Sequence, residues 1–395
     1  MPRLLAIGPA LDQSSYARVV RETLKPLGRR WTVRQFAPNH RGVPVDAGWP
    51  VLPNRDIADR YGVEQIAPIV ADFDPDAIFI FNSFANLPRY APLIDRLGSR
   101  RPRLVAQCPL LGPVTDPRLV ARLAWLDCLV ILSDGVKQHL AACLAESMRL
   151  GLIDRMPTLA TIPHGFDATI FHPLGDRAAL RRTIPGLHDL GDDAFVVLNA
   201  NKNEPRKRID LTLQGFARFA EDKPPNVRLY LHMGDPGGEL RQLASALGIA
   251  SRVVLASSED GAHPRLDDAS LNRLYNACDV GLNTASSEGW GMIGFEHAAT
   301  GAAQIVPGAW ICGELWKDHG ELLEPASEQT SQHGYTCEIS VTADSVASAL
   351  QRLYRDETHR SRMAGQAATL AASPRFQWTA IADRWDGLLR EICSR

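Results

Sequence analysis

The sequence predicts an α/β protein made of two doubly wound domains with parallel sheets. Short apolar runs alternate with amphipathic segments along most of the 395 residues, and this alternation is typical of strand–helix units in a parallel sheet. The length is sufficient for two such domains, each with its own core. Residues 171–193 are rich in proline, glycine and charge and have no strand pattern. We therefore expect the two domains to be connected there.

The apolar runs predict two successive sets of strands. The first set lies at Leu4–Ile7, Ala77–Phe81, Leu104–Ala106, Leu129–Leu132 and Thr158–Ile162. The second set lies at Phe195–Asn199, Val227–His232, Val253–Leu255, Val280–Leu282 and Ala303–Val306. Amphipathic helices are expected between them, for example at Ala17–Leu27, Leu211–Ala220 and Leu271–Ala277.

The domain boundaries follow from these sets. We expect a first domain at residues 1–175, a second at 190–373, and a final helix at 374–395 that packs back on the first domain. The final helix is predicted because its apolar residues recur at helical spacing and form a face that needs a partner. These residues are Trp378, Ile381, Trp385, Leu388, Leu389 and Ile392.

Composition narrows the class of protein. A formal net charge of −2 gives no overall attraction to nucleic acid. The seven cysteines include no CxxC pair, which argues against a disulfide framework or a thiolate zinc site and favours a reducing compartment. The first residues form a strand-like run rather than a signal sequence, and no apolar stretch is long enough to cross a bilayer. We expect a cytoplasmic enzyme.

The most informative motif runs from Glu288 to Glu296. The two carboxylates bracket a glycine-rich turn that follows the strand Val280–Leu282 and opens a helix of small residues. Backbone N–H groups and the positive end of a helix then meet at one place, which suits a diphosphate. The two carboxylates suit the hydroxyls of a sugar and of a ribose that are attached to such a diphosphate. The alternative is an ordinary acid at a helix start and an unrelated surface acid.

A second motif is the basic run Arg206, Lys207 and Arg208. It follows the predicted strand Phe195–Asn199 and precedes a helix, at the edge where α/β sheets bind ligands. Cations at this place suit a diphosphate, and they stabilise it more as it gathers negative charge. The alternative is a solvated loop of charges.

With these motifs the chain resembles the retaining glycosyltransferases of family 4, which have the GT-B fold. Three blocks carry the resemblance, in the order and spacing of the family: Ile162-Pro163-His164-Gly165-Phe166-Asp167, residues 199–210, and residues 288–296. The resemblance implies two Rossmann-like domains facing each other across a cleft. It also implies transfer of a sugar from a UDP- or GDP-sugar to an acceptor hydroxyl with retention, without a metal ion or other cofactor. No Asp-x-Asp stands where a metal is expected.

The resemblance also implies roles for site residues. Glu296 is expected to bind the ribose and Glu288 a hydroxyl of the transferred sugar, with Lys207 and Arg206 on the diphosphate. The backbone of the turn is expected to hold the sugar and the diphosphate, and its residues are Gly289, Trp290, Gly291, Met292 and Ile293.

The sequence departs from the family at several positions. Asn201 stands where relatives usually have an arginine, so either Arg206 takes its role or the amide suffices. Ser14 and Ser15 replace a double-glycine loop, and either supply small groups near the donor or simply begin a helix. His164 is expected to shape the hinge and is a further site candidate. Many relatives have a histidine near the reacting sugar, and this chain has Gln107-Cys108 in its place. A catalytic general base from this position is therefore in doubt.

The acceptor and the partners stay open. We expect a nucleotide-sugar donor and a carbohydrate, lipid-linked or small-molecule acceptor, and no nucleic acid. An N-terminal basic cluster consists of Arg18, Arg21, Lys25, Arg29, Arg30 and Arg34. This cluster is either a solvated helix face, which we favour, or a peripheral contact with the inner face of a membrane. By the resemblance, the insert Ser257–Leu266 is expected near the nucleobase of the donor. Two other functions remain as alternatives: a nucleotide-sugar-binding protein without transferase activity, and another GT-B enzyme such as a phosphorylase or an epimerase.

Overall fold

The computed structural model describes residues 1–10, 14–43, 46–98, 101–258 and 260–395, and it divides into two compact units. Unit 1 comprises Met1–Gly165, Ser331–Thr336 and Pro374–Arg395. Unit 2 comprises Phe166–Thr330 and Cys337–Ser373.

Unit 1 is a seven-stranded parallel sheet in the order β3-β2-β1-β4-β5-β6-β7. Its central strands are buried because helices cover a doubly wound sheet on both faces, whereas the edge strands β3 and β7 are half-buried. The elements are β1 (Arg3–Ile7), α1 (Ser15–Leu27), β2 (Thr32–Ala37), β3 (Val51–Pro53), α2 (Val63–Phe73), β4 (Ala77–Phe81), α3 (Leu93–Leu97), β5 (Arg103–Gln107), α4 (Pro117–Ala121), β6 (Cys128–Ile131), α5 (Asp134–Arg149) and β7 (Thr158–Thr161).

Unit 2 has a six-stranded parallel sheet in the order β10-β9-β8-β11-β12-β13, and a separate antiparallel pair, β14 and β15. The sheet order reverses between β8 and β11, which is where doubly wound sheets place ligands. The elements are α6 (Arg177–Arg181), β8 (Phe195–Asn199), α7 (Ile209–Ala220), β9 (Val227–His232), α8 (Glu239–Ala246), β10 (Val253–Ala256), α9 (Asp268–Ala277), β11 (Val280–Leu282), α10 (Met292–Ala299), β12 (Ala303–Pro307), α11 (Trp310–Trp316), β13 (Glu321–Leu323), β14 (Ser327–Thr330), β15 (Cys337–Ser340), α12 (Ala343–Arg355) and α13 (Glu357–Ala371).

The last helix, α14 (Trp378–Ser394), belongs to unit 1. The buried Trp385 ring packs edge-on against Phe79 of β4, with ring centroids 4.7 Å apart. Asp386, on the polar edge of α14, accepts a hydrogen bond from the Trp31 indole N–H at 2.8 Å. The apolar face and the polar edge of α14 therefore both have partners in unit 1.

The fold class is confirmed, and each predicted strand is present in the structure. The boundary between the units differs from the predicted one. Residues 166–175 belong to unit 2 because the backbone N–H groups of His172 and Leu174 donate to the side chains of Asn272 and Asn276.

The expected connection at 171–193 is also more than a linker. It contains α6, and its Arg181 side chain is almost fully buried in unit 2. The guanidinium binds the carboxylate of Asp279 at 2.5 Å and donates to the carbonyl of Ala277 at 3.0 Å. The charged residues of this segment predicted an exposed linker. The charge of Arg181 is instead neutralised by Asp279 inside unit 2.

No helix among the described residues is long and apolar enough to cross a membrane.

Helix α7 packs on α12 through a glycine that leaves no room for a side chain. A Cβ atom at Gly215 would lie 2.4 Å from Cγ1 of Val346. Alanine normally stabilises a helix relative to glycine, but here the close approach of the two helices reverses the sign.

We predict that Gly215→Ala lowers the stability of the protein by about 1–3 kcal/mol because it overpacks this contact. Gly365 is the matched control, since it lies in helix α13 and a Cβ atom there would have no neighbour within 4 Å. Gly365→Ala is expected to stabilise by about 0.5–1 kcal/mol. Thermal and urea unfolding of both variants check this; equal stabilisation by both would contradict it.

Candidate functional site

The candidate site lies in unit 2, where the loops after β8 and β11 meet. The two strands are parallel neighbours, so their carboxyl ends lie at the same edge of the sheet. The first loop contains a short 3₁₀ turn, Pro205–Lys207, and the second runs through residues 283–291 to α10. The basic run at 206–208 and the motif at 288–296 therefore lie at the same edge of the sheet.

Hydrogen bonds join the two loops directly. The backbone N–H of Ser286 donates to the carbonyl of Arg206 at 2.7 Å. The hydroxyl of Thr284 reaches the carbonyls of Lys207 at 3.1 Å and Arg208 at 2.9 Å. These bonds fix the backbones of the two loops against each other.

Lys207 and Glu288 form an ion pair. The side chains are only 8% and 12% exposed. Burial alone would raise the pKa of Glu288, but the positive charges of Lys207 and Arg206 outweigh it and hold the pKa below its usual range. The carboxylate is thus ionised at neutral pH and able to accept hydrogen bonds.

Arg206 lies beside this pair but is partly committed to the protein. Its guanidinium donates to the carbonyl of Ser287 at 3.0 Å and lies 3.2 Å from the carboxylate of Glu204. The side chain is 29% exposed. These two contacts give the arginine a fixed position at the edge of the sheet where a ligand would bind.

Asn201 shapes its own turn. Its backbone N–H and its side-chain amide both donate to the carbonyl oxygen of the Asn199 side chain, at 3.1 and 2.9 Å. Asn199 in turn donates to Thr212 at 2.9 Å. Asn201 is almost fully buried, so its amide nitrogen supports the loop; its predicted contact with a donor stays a prediction.

Helix α10 begins at the turn between the two glutamates. Gly291 precedes it with a φ of 85°, a left-handed conformation that favours glycine, and no side chain caps the helix. The backbone of Met292 and Ile293 forms its first turn. The N-terminus of α10 is therefore suited to an anion.

Two side chains of this segment are held inside the unit. Glu296 is buried and accepts a hydrogen bond from the hydroxyl of Tyr275 at 3.2 Å. The Trp290 indole is buried and stacks on Phe295, with centroids 5.1 Å apart and planes 6° apart. Trp290 and Gly289 therefore offer a ligand their backbone rather than a side chain.

The candidates of unit 1 have structural contacts of their own. Ser14 caps α1 by accepting a hydrogen bond from the Ala17 N–H at 3.1 Å, and Ser15 is the first residue of that helix. Residues 11–13 of the same loop lie outside the described residues. His164 is buried beside Phe81, and burial lowers its pKa to about 3. The imidazole is neutral at physiological pH.

A histidine pair near the insert Ser257–Leu266 was not predicted from the sequence. The rings of His232, at the end of β9, and His263 lie 5.3 Å apart and nearly perpendicular. Burial, and then the charge of His263, lower the pKa of His232 to about 4. No spacing rule joins two histidines from different loops, so no sequence pattern could have indicated this pair. Glu259 of this insert lies outside the described residues.

Within the described ranges, no group of three or more His, Cys, Asp or Glu side chains is arranged to hold a metal ion.

Comparison with known proteins finds glycosyltransferases. Residues 239–386 match the model of the glycosyl transferase-like family. A D-inositol 3-phosphate glycosyltransferase of Geodermatophilus obscurus is 33% identical over 153 residues, 36% of this chain and 31% of that protein. Mannosylfructose-phosphate synthase of Agrobacterium fabrum is 25% identical over 237 residues, 56% of this chain and 45% of that protein. The chain thus matches less than two thirds of these relatives' length.

Solved structures match over the whole chain. Sucrose-phosphate synthase from Thermosynechococcus elongatus has a TM-score of 0.73 at 18% identity and covers 100% of both chains. Anabaena HepE in complex with UDP-glucose has a TM-score of 0.73 at 17% identity and covers 98% of this chain and 99% of its own. The chain has the fold of the GT-B glycosyltransferases, which confirms the predicted fold.

We predict that Lys207→Met destabilises the protein by about 3–5 kcal/mol, because it leaves the Glu288 carboxylate buried without its counter-ion. Adding Glu288→Gln should recover part of this loss, and a double-mutant cycle from unfolding curves measures the coupling. Arg218→Met is the control, since its pair with Asp344 is 52% and 81% exposed and is worth at most about 1 kcal/mol. Additive losses in the cycle would contradict the assignment.

We also predict a pH dependence from Glu288. Its folded pKa lies below the ordinary value of 4.5, so its contribution to stability is full above about 4.5 and is lost as the pH falls through the lower folded pKa. Glu288→Gln lacks this contribution. The difference in Tm between the wild type and this variant should be largest near pH 7 and shrink below pH 4.5. A constant difference down to pH 3 would show that the carboxylate is not stabilised as described.

Proposed function

We propose that the protein is a glycosyltransferase that moves a sugar from a nucleoside-diphosphate sugar to an acceptor hydroxyl with retention at the anomeric carbon. The observation that carries the proposal is the Lys207–Glu288 ion pair beside the uncapped start of α10. The GT-B fold and the family match at residues 239–386 support it. The mechanistic class is that of the retaining family 4.

The donor is bound by three kinds of group. The N–H groups in the first turn of α10 take the diphosphate, aided by the helix dipole. Glu296 takes the ribose hydroxyls through its carboxylate, which the Tyr275 hydroxyl helps to position. Glu288, kept ionised by Lys207, accepts from a hydroxyl of the transferred sugar. Each ligand group thus meets a partner of complementary charge or hydrogen-bonding type.

Transfer breaks the bond between the anomeric carbon and the leaving phosphate oxygen. Negative charge gathers on the diphosphate, and Lys207 and Arg206 stabilise it more in the transition state than in the ground state. The acceptor oxygen attacks the same face and its proton passes to the departing phosphate oxygen, which gives retention without a protein nucleophile. In this proposal the two cations supply the stabilisation that a metal ion supplies in other enzymes.

The base and sugar of the donor are proposed by analogy. HepE was solved with UDP-glucose, so a UDP-sugar is the first donor to test and a GDP-sugar the second. The names of three relatives contain a phosphorylated sugar or polyol, so phosphorylated small molecules are the first acceptors. Lipid-linked and free carbohydrates come next.

Peripheral membrane contact through the N-terminal basic cluster is the less favoured alternative. Arg30 pairs with Asp383, Arg34 with Asp72 and Arg21 with Glu22. These internal partners reduce the charge available to anionic lipid.

The first experiment is calorimetric titration with UDP-, GDP- and ADP-sugars, without metal and then with magnesium. Binding of one donor without metal supports the proposal, and the anomer of the product, read by NMR, tests retention. Binding without consumption in the presence of many acceptors would favour a nucleotide-sugar-binding protein. Consumption with free phosphate alone would favour a phosphorylase.

We predict that Glu296→Gln weakens binding of the nucleotide sugar about tenfold or more, because a charged hydrogen-bond acceptor for the ribose is lost. Glu328→Gln is the matched control, since this glutamate lies on the fully exposed strand β14 of the same unit. Its Kd should equal that of the wild type. An unchanged Kd in Glu296→Gln would remove Glu296 from the donor site.

A further inference from the structure

Two arginines of unit 1 lie over one aromatic ring. The Cζ atom of Arg89 lies 4.9 Å from the centroid of the Tyr61 ring, and that of Arg60 lies 6.0 Å from it. Both arginines are exposed, and Tyr61 is half-buried. An aromatic face attracts a guanidinium without neutralising its charge. Two positive charges are therefore held on one small area of the surface.

These two guanidiniums have no anionic partner in the described part of the protein. Within the described residues, neither donates a hydrogen bond or takes part in an ion pair. The acids close to them in the sequence are engaged elsewhere. Asp59 accepts from the backbone N–H groups of Tyr61 at 3.1 Å and Gly62 at 2.9 Å, and Glu64 pairs with Arg96. Since a guanidinium has five N–H donors, the pair has unused capacity to bind an anion.

The ring that supports the arginines is held in place. The Tyr61 hydroxyl donates to the side-chain oxygen of Asn86 at 2.8 Å, and Asn86 donates to that of Asn82 at 3.3 Å. The ring also meets the buried ring of Tyr90 edge-on, with centroids 6.4 Å apart. Tyr61 thus joins the loop before α2 to the loop after β4. A fixed support reduces the conformational entropy that the arginines lose when they bind a ligand.

The arginines lie at the edge of the sheet where doubly wound folds bind ligands. Arg60 and Tyr61 follow β3, and Arg89 follows β4. Both strands are parallel to their neighbours, so the loops after them leave the sheet at its carboxyl edge. The groups proposed to bind the donor all belong to unit 2. These arginines therefore belong to a separate set, and the acceptor is the substrate for which no site has been assigned.

We propose that Arg60 and Arg89 bind a phosphate group of the acceptor, with Tyr61 as their support. This inference rests on the proposed function and names the class of acceptor, a phosphate monoester of a sugar or polyol. Such a group carries close to two negative charges at neutral pH, which two guanidiniums match. The planar fork of each guanidinium donates paired hydrogen bonds to phosphate oxygens. Two sources carry this group: a soluble sugar phosphate and a phosphorylated lipid.

The experiment compares the wild type with Arg60→Gln, Arg89→Gln and the double variant. Calorimetry measures Kd for glucose 6-phosphate, fructose 6-phosphate, inositol 3-phosphate, their unphosphorylated counterparts and a UDP-sugar. Sedimentation measures binding to phosphatidylcholine vesicles with and without phosphatidic acid. Arg122→Gln is the matched control, because it removes the same charge from an exposed arginine of unit 1 at the end of α4. Tm shows that each variant is folded.

We expect the wild type to bind a phosphate probe and not its unphosphorylated counterpart. Each single substitution should raise the Kd of that probe about tenfold, and the double variant more, because charged hydrogen bonds to phosphate are lost. Kd for the UDP-sugar should stay the same, and Arg122→Gln should behave as the wild type. Binding of a soluble probe assigns the phosphate to a sugar phosphate. Binding to phosphatidic acid vesicles alone assigns it to a lipid.

Several results would overturn the inference while leaving the proposed function intact. One is normal binding of the UDP-sugar by a wild type that binds no phosphate probe. Another is equal binding of the phosphate probe by the wild type and the double variant. Equal weakening of the UDP-sugar and the probe would place the arginines on the donor, and an equal loss in Arg122→Gln would reduce the effect to net charge. A wild type that binds no nucleotide sugar would overturn the proposed function itself.

Discussion

Lys207 and Glu288 stand 81 residues apart in the sequence and meet in an ion pair from which water is largely excluded. Either charge alone would be costly to bury, so each depends on the other for its place in unit 2. The parallel pairing of β8 and β11 brings their loops together, and the hydroxyl of Thr284 binds the carbonyls of Lys207 and Arg208. The geometry of the site is therefore a property of the sheet and of the loops together.

The helix that completes the site depends on small residues beneath it. A Cβ atom at Gly281, in the middle of β11, would lie 2.2 Å from the Gln304 amide oxygen and 2.7 Å from Nδ1 of His297. The glycine thus allows α10 and β12 to approach the strand that leads to Glu288. Because His297 is buried, its pKa is lowered to about 3 and it packs as a neutral ring. The position of the α10 N-terminus, and with it the proposed diphosphate site, follows from this packing.

The sequence was sufficient for the parts of the molecule that are apolar and periodic. The buried parallel strands are continuous apolar runs, and α14 has a clear helical period, so both were predicted. Strand β2 was not, since Thr32, Arg34 and Gln35 interrupt its apolar pattern, and exposed β14 has none. In the site, both motifs were expected at one donor site, but the direct ion pair between Glu288 and Lys207 was not predicted. The support that Asn201 gives to its own turn was not predicted either, because it depends on one side-chain orientation.

Backbone strain in unit 2 is located at the same edge of the sheet. Its described non-glycine residues with positive φ are Arg208, after β8, and Trp310, after β12. Glycine would be less strained at both positions. The strain at Arg208 is partly offset by two contacts of its side chain. The guanidinium binds the carboxylate of Asp210 at 2.8 Å and the hydroxyl of Ser340 at 3.2 Å. These contacts, together with the hydrogen bond from the Thr284 hydroxyl to the Arg208 carbonyl, hold the backbone next to Lys207 in place.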